Sequence, residues 1–343
     1  MKAVVISQQG TPVAPNVQVV YDWPDPTAGP GEVLVKTEAS ALNHLDLWIG
    51  RGLPGLDFDY PRITGSDGCG IVEVVGEGVD ESWMGRRVVV NAAVQHPSPT
   101  LPDTSPAPPD ITMIGEHDPG TLAENFIAPV TNVACVGEVE PTDAAAYALT
   151  HLTAWRMLIS RAHLRAGQTV LITGIGGGVA LACLNIAKHF GCKTVVTSRH
   201  QSKLDKAAQL GANHGIVDTG EDWSRQVRQV TSKHGADVCA DSIGKAVHLS
   251  CIKSLARGGV FVTCGCTTGP DALTDLARMF WNQCSIMGST MGDMDEFRQA
   301  VSLLTSGAIK PVIDSVHEAN DAAKAFKRLE SGEQFGKVVI RWG

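Results

Sequence analysis

No two cysteines in this chain are spaced as C-x-x-C, and no regular interval joins the nine present, at positions 69, 135, 183, 192, 239, 251, 264, 266 and 284. That argues against a disulfide framework. No stretch approaches the ~20 apolar residues a membrane span needs. The opening MKAVVISQQGTPVAP also lacks a basic segment running into an apolar one. The sequence therefore predicts a protein of a reducing compartment, most simply the cytoplasm, with no membrane partner. Positive charge is in short supply too: Lys and Arg number 28 against 36 Asp and Glu, a net charge of −8. Such a surface repels phosphate backbones, so nucleic acid is a poor partner. Charged residues make up 19% of the chain and hydrophobic ones 43%, enough apolar side chain to exclude a largely disordered polypeptide.

Glycine is in excess, 36 residues of 343, about one and a half times the usual ~7%. Because glycine costs backbone entropy wherever it is used, the fold must need it. The length exceeds what one hydrophobic core usually serves and predicts two domains. Residues 1–130 read as short strands between turn signals, among them MKAVVI, EVLVKTEAS, GIVEVVGEGV and GRRVVVNAA, the pattern of an antiparallel barrel or sandwich. Gly65, Gly68, Gly70, Gly76 and Gly78 are expected to mark its turns. Between His96 and Asp110 six prolines predict a loop.

From about Thr142 the rhythm changes. A helical segment leads into VLITG, KTVVTS, HGIVD, DVCADS and GGVFVTCG, each separated from the next by a helical stretch. This βαβ alternation predicts an α/β unit with a doubly wound parallel sheet. Near the end, Ala322, Ala325, Phe326 and Leu329 share one helical stripe, with Gly332 at the expected C-cap. The closing GKVVIRW reads as a strand.

Gly174, Gly176, Gly177 and Gly178 stand between the strand ending at Thr173 and a helix bearing Val179, Leu181, Leu184 and Ala187. Glycines there permit the tight turn and bring backbone N–H groups close to a pyrophosphate at the helix N-terminus. The third fingerprint position falls on Ala180, so the turn is one residue longer than the simplest G-x-G-x-x-G. Together with the surrounding alternation, this predicts dinucleotide binding. At the end of the next strand an NAD site usually carries Asp or Glu for the ribose hydroxyls. Here the residues are Ser198 and Arg199, with Lys203 a turn further on. A hydroxyl and a guanidinium suit a 2′-phosphate, which predicts NADPH over NADH.

Four strings carry a resemblance: ALNHLDLWIGRG at 41–52, GSDGCGIVEVVGEGV at 65–79, HLTAW at 151–155 and GEQFGKVVI at 332–340. Over essentially the full chain the pattern resembles the medium-chain dehydrogenase/reductase superfamily, and within it the quinone oxidoreductase-like, zinc-independent branch. The glycine signature keeps its spacing but departs at Ile175, Ala180 and Asn185. The resemblance implies a Rossmann domain over residues 149–287. It also implies a β-rich GroES-like catalytic domain built from residues 1–148 and 288–343, and a homodimer paired through the stretch from Phe280 to Ser289.

By the same resemblance, the places of the catalytic zinc ligands fall on Asn43, on Ser66 followed by Asp67, and near Leu149. Asn, Ser and Leu cannot assemble the N/S shell that makes zinc a Lewis acid. His44, Asp46 and Asp67 are conceivable substitutes, but hydrogen-bonding roles are the simpler reading. The window 91–115, where relatives hold structural zinc with four cysteines, contains no cysteine, and His96 and His117 are the only imidazoles nearby. No metal is expected.

Without a metal, the chemistry implied is direct hydride transfer to a small molecule activated by conjugation: a quinone, an enone or an enoyl thioester. Asn43 is the first candidate catalytic residue, as an amide donor. Asp46 is expected to orient its neighbours, and Trp48 to wall the acceptor pocket. For the cofactor, Thr153 resembles a nicotinamide contact. Ser242, Gly244, Cys264 and Gly265 follow strand ends at the ligand-binding edge of the sheet. Cys264 and Cys266 read as small packing residues rather than a redox pair. Lys337 matches a recurring lysine and is expected to face phosphate or solvent. Two alternatives stay open: an alcohol or aldehyde dehydrogenase of the same superfamily, and an NADPH-binding protein with little turnover.

Overall fold

The structure is a computed structural model that describes residues 1–53, 55–96 and 110–343. The proline-rich segment lies almost wholly outside the described residues, as does most of the window compared with a structural-zinc lobe. The chain divides into two compact units. One comprises Met1–Leu149, Asp293–Gly307 and Pro311–Gly343; the other comprises Thr150–Gly292 with Ala308–Lys310.

The first unit is β-rich. Val17–Val20, Ala3–Ile6 and Arg62–Ile63 form a three-stranded sheet in that order. A seven-stranded sheet runs Val133–Cys135, Arg87–Val90, Gly68–Val75, Glu32–Ala41, Lys337–Arg341 and Ile313–Glu318, with Asn125–Pro129 also paired to Glu32–Ala41. All its pairings are antiparallel except that of the last two strands in this order. The C-terminal strand thus lies beside a strand formed some 300 residues earlier, with Ile340 opposite Ser40. Beneath the sheets, Val4, Ile6, Leu42, Leu47, Phe326 and Ile340 belong to one buried cluster.

Two of the glycines expected at turns are not there. Gly68 and Gly70 lie inside the strand Gly68–Val75. A Cβ on Gly70 would come within 3.0 Å of the Thr37 Cα and closer still to the Lys36 carbonyl. The glycine permits a close strand crossing beside a register shift at Thr37/Ala39. Gly65 and Gly78, at φ +103° and +80°, do take the backbone conformation a turn glycine provides.

The second unit is built on six parallel strands in the order His214–Val217, Lys193–Ser198, Thr169–Ile172, Ala236–Asp241, Leu255–Thr263 and Ser285–Gly288. The first strand in sequence lies at the centre, and successive strands are added first to one side and then to the other. This is the Rossmann order with its switch point beside Thr169–Ile172. That strand is buried throughout, as expected where helices cover both faces. Cys239 and Cys251 are packed with Leu171, Val195 and Phe261 in the core, and all nine thiols are free.

Candidate functional site

In the second unit, the turn after Thr169–Ile172 sits at the carboxyl edge of the sheet. Gly174 has φ +62° and Gly176 φ +116°, values side-chain-bearing residues rarely adopt. Gly177 is the N-cap of the twelve-residue helix Gly178–His189. The N–H groups of Gly178, Val179 and Ala180 open that helix with no carbonyl four residues back inside it, so they present donors and partial positive charge. Lys203 crosses the turn: a Cβ added to Gly176 would come 2.8 Å from its Cδ. This glycine-lined cradle fits a pyrophosphate.

Neighbouring strand ends frame the cradle. Asp241, buried at the end of Ala236–Asp241, accepts from the Thr173 hydroxyl at 2.6 Å and from the Gly244 N–H at 2.9 Å. It thereby ties the glycine turn to the loop holding Ser242 and Gly244. Burial raises its pKa, against the pull of these hydrogen bonds. Gly244, at φ +86°, caps the helix Lys245–Ser254. Cys264 donates its N–H to the Asp241 carbonyl at 3.1 Å, and the Thr263 hydroxyl bonds the Gly265 carbonyl at 2.9 Å. Burial pushes the Cys264 thiol up to about 12, out of the range of a reactive thiolate.

Ser198 ends the strand Lys193–Ser198, its hydroxyl accepting from the His200 N–H at 3.2 Å. Arg199 beside it is exposed. The Ser198 carbonyl accepts from the N–H of Asp218, a carboxylate the sequence reading did not place here. Asp218 turns its side chain to the Gly220 N–H at 3.0 Å. Thr153 is buried, its hydroxyl 3.8 Å from the Met291 sulfur.

In the first unit a second polar cluster is buried. The helix His44–Arg51 begins at Asn43. Asp46, three residues on, accepts from the Asn43 N–H at 2.7 Å and reaches the Gly65 N–H at 2.8 Å. Desolvation raises the Asp46 pKa to about 6, although its hydrogen bonds and the Lys337 charge pull the other way. The Asn43 amide lies in a triad: its Oδ1 accepts from Lys337 Nζ at 2.6 Å, and its Nδ2 donates to Asp67 Oδ2 at 2.9 Å. Lys337 also donates to that Asp67 oxygen at 2.8 Å, and the Leu149 N–H takes the other at 2.7 Å. The sequence leaves Lys337 between phosphate and solvent; here its side chain is 5% exposed and that of Asp67 0%. An ammonium withdrawn from water needs an anion beside it, and Asp67 supplies one. Trp48 is half-buried, its ring 6.4 Å from that of His44.

The donors do not fit a zinc ion. Asn43 and Asp67 already surround an ammonium, the Ser66 hydroxyl is committed to the Ile114 carbonyl at 2.9 Å, and Leu149 offers only backbone. Among the described residues no three His, Cys, Asp or Glu side chains converge on a point that could hold a metal. His96 and His117, the imidazoles of the other window, bond Thr112 and the Met113 N–H respectively.

Comparison with known proteins defines the class of these two units. An alcohol dehydrogenase GroES-like domain model matches residues 29–138, and a zinc-binding dehydrogenase model matches 178–306. The chain belongs to the medium-chain dehydrogenase/reductase superfamily and is an oxidoreductase of that class. It is 32% identical to a zinc-type alcohol dehydrogenase-like protein of Leptosphaeria maculans, over 92% of each chain. It is 27% identical to the rat synaptic vesicle membrane protein VAT-1 homolog, over 92% of this chain and 78% of that one. A crystal structure of an NAD-dependent alcohol dehydrogenase superposes over all of both chains with a TM-score of 0.90 at 34% identity.

Proposed function

We propose that this chain transfers hydride from NADPH to an acceptor activated by conjugation, a quinone, an enone or an enoyl thioester, without catalytic zinc. The observation that carries this reading is the position of the Lys337 ammonium, 2.6 Å from Asn43 Oδ1 and 2.8 Å from Asp67 Oδ2. A cation already uses the oxygens on which a metal would draw. Polarisation of the acceptor must then come from its own conjugation and from hydrogen-bond donors.

Bound to the second unit, the dihydronicotinamide supplies the hydride. Gly174, Gly176, Gly177, Gly178 and Val179 receive the pyrophosphate. Ser198, Arg199 and Lys203 take the 2′-phosphate, since the strand end offers a hydroxyl and two cations while Asp218 is turned to its own loop. Ser242, Gly244, Cys264 and Gly265 line the adenosine and nicotinamide halves, and Thr153 meets the nicotinamide. Asn43 donates to the acceptor oxygen, Asp46 anchors the start of its helix, and Trp48 is an apolar wall.

Steady-state turnover with both cofactors across quinones, enones and enoyl thioesters tests this. At least one acceptor is expected to be reduced, with kcat/KM favouring NADPH about tenfold or more, the scale of one charge-assisted contact, and activity surviving a chelator. An NADH preference would remove the cofactor assignment. Loss of one zinc per chain together with activity would remove zinc independence.

A second reading, alcohol or aldehyde dehydrogenase, is favoured by the similarity to a zinc-type alcohol dehydrogenase-like protein and to an NAD-dependent alcohol dehydrogenase. Oxidation of simple alcohols exceeding reduction of every conjugated acceptor would establish it. Tight NADPH binding with no turnover would instead indicate a binding protein.

We also propose that the protein is a homodimer of a reducing compartment such as the cytoplasm. No helix among the described residues is long and apolar enough to cross a membrane. On the second unit, Leu276, Phe280, Trp281 and Ile286 are exposed, Trp281 by 71%. They lie on or just before Ser285–Gly288, a strand at the end of the sheet order. An apolar patch on an open sheet edge is a surface for self-association.

A further inference from the structure

The Asn43 carboxamide offers two N–H donors and an oxygen with two lone pairs, and the first unit uses them unequally; the oxygen also takes part in a capping box with the Asp46 N–H. Its Oδ1 faces Lys337 Nζ at 2.6 Å, and one Nδ2 hydrogen is directed to Asp67 Oδ2 at 2.9 Å. Among the described residues, the other acceptor bonded by Nδ2 is the Ala41 carbonyl at 3.5 Å, at the outer limit of a hydrogen bond. One N–H therefore remains with spare capacity. A carboxamide can turn over by exchanging oxygen and nitrogen positions at little steric cost. Turned over here, its NH2 group would confront an ammonium, donor against donor, and its oxygen would confront a carboxylate. Both contacts would be repulsive in a buried setting where charge is weakly screened.

We propose that Lys337 is the positioning residue of the Asn43 amide: paired with Asp67, its ammonium holds the carboxamide in one orientation and keeps a single N–H available to the acceptor. This deepens the reading of Asn43 as the donor and rests on it. The pair replaces the selectivity a metal would impose with that of a fixed cation and anion. Lys337 touches neither acceptor nor cofactor in this scheme; it acts through Asn43.

The test compares Lys337→Met with the double variant Lys337→Met/Asp67→Asn. The single change strands a buried carboxylate and is expected to lower stability sharply. The double change removes both charges, so its thermal midpoint should return close to that of the wild type. Its kcat should stay reduced about tenfold or more, with KM for NADPH little changed, because only the cap from the Asp46 N–H to the Asn43 side chain then biases the amide orientation. Millimolar methylammonium should restore part of the activity of Lys337→Ala. A double variant with wild-type kcat would show Lys337 to be merely structural and overturn the proposal.

A measurement independent of turnover needs only the folded wild-type protein. In an amide-detected NMR spectrum, the Asn43 side-chain N–H pair, assigned by its loss in Asn43→Ala, should be two widely separated, slowly exchanging signals. Rapid exchange like that of a solvated asparagine overturns the proposal even if no variant folds. Absence of any acceptor turnover alongside a locked amide would instead count against the proposed reaction and leave the positioning role standing.

Discussion

Asp46 is a carboxylate kept from water, and its pKa of about 6 against an ordinary 3.8 makes stability depend on pH in an unusual sense. A raised folded pKa means the native state binds more protons than the unfolded chain in that interval. The associated stabilisation is complete below about 3.8 and is lost as pH rises through about 6. The shift corresponds to about 3 kcal/mol as an upper figure. Asp46→Asn should remove that downward trend between pH 4 and 6, whatever its effect on the baseline. Urea unfolding at pH 4, 5, 6 and 7 checks this, and parallel curves for variant and wild type would refute it. At the same scale, Arg199→Ala is expected to lower kcat/KM for NADPH about tenfold while leaving NADH nearly unaffected, since one charged contact to a phosphate is lost. Equal losses with both cofactors would move Arg199 away from the 2′-phosphate.

Among the elements, the helix Ala322–Glu330 and the strand Ile313–Glu318 are joined by Arg328, which bonds both Asp314 oxygens at 2.9 Å. The guanidinium holds Asp314 down at about 2. The sign is opposite to that of Asp46: this stabilisation is present above the ordinary carboxylate range and lost as pH falls through about 2. Arg328→Gln should cost about 2 kcal/mol at neutral pH, with the difference from wild type shrinking in acid, as read by chemical denaturation. The helix Met294–Thr305 starts with a reciprocal cap. Asp293 accepts from the Glu296 N–H, and Glu296 accepts from the Asp293 N–H, each at 2.9 Å. Asp293→Ala should therefore cost about 1 kcal/mol, and an unchanged unfolding midpoint would show that the cap contributes nothing.

Over the whole molecule, Trp281→Glu is expected to convert a dimer into a monomer with cofactor binding retained, measured by light scattering during size-exclusion chromatography; a monomeric wild type would end the dimer reading. Much of the fold was legible in order along the chain. The apolar runs VLITG and KTVVTS belong to a sheet covered on both faces, and the Ala322–Leu329 stripe is buried on the helix it predicted. The glycine turn, too, is a contiguous local pattern, because the turn and the helix opening it precedes are made by neighbouring residues. The misreading of Gly68 and Gly70 as turn residues has a physical cause. A glycine required by a neighbouring strand looks, in sequence, like one required by its own backbone.

The sequence by itself determined the β-rich and Rossmann folds and the glycine turn after Thr169–Ile172, since each arises from periodicity and turn chemistry within a few tens of residues. Only the tertiary structure decided where Lys337 goes. It meets Asn43 across 294 positions and Asp67 across 270, and no local pattern encodes such a pairing. Once sheet formation carries the ammonium into the interior beside Glu32–Ala41, the cost of burying an unpaired charge makes Asp67 its partner and gives Asn43 its orientation.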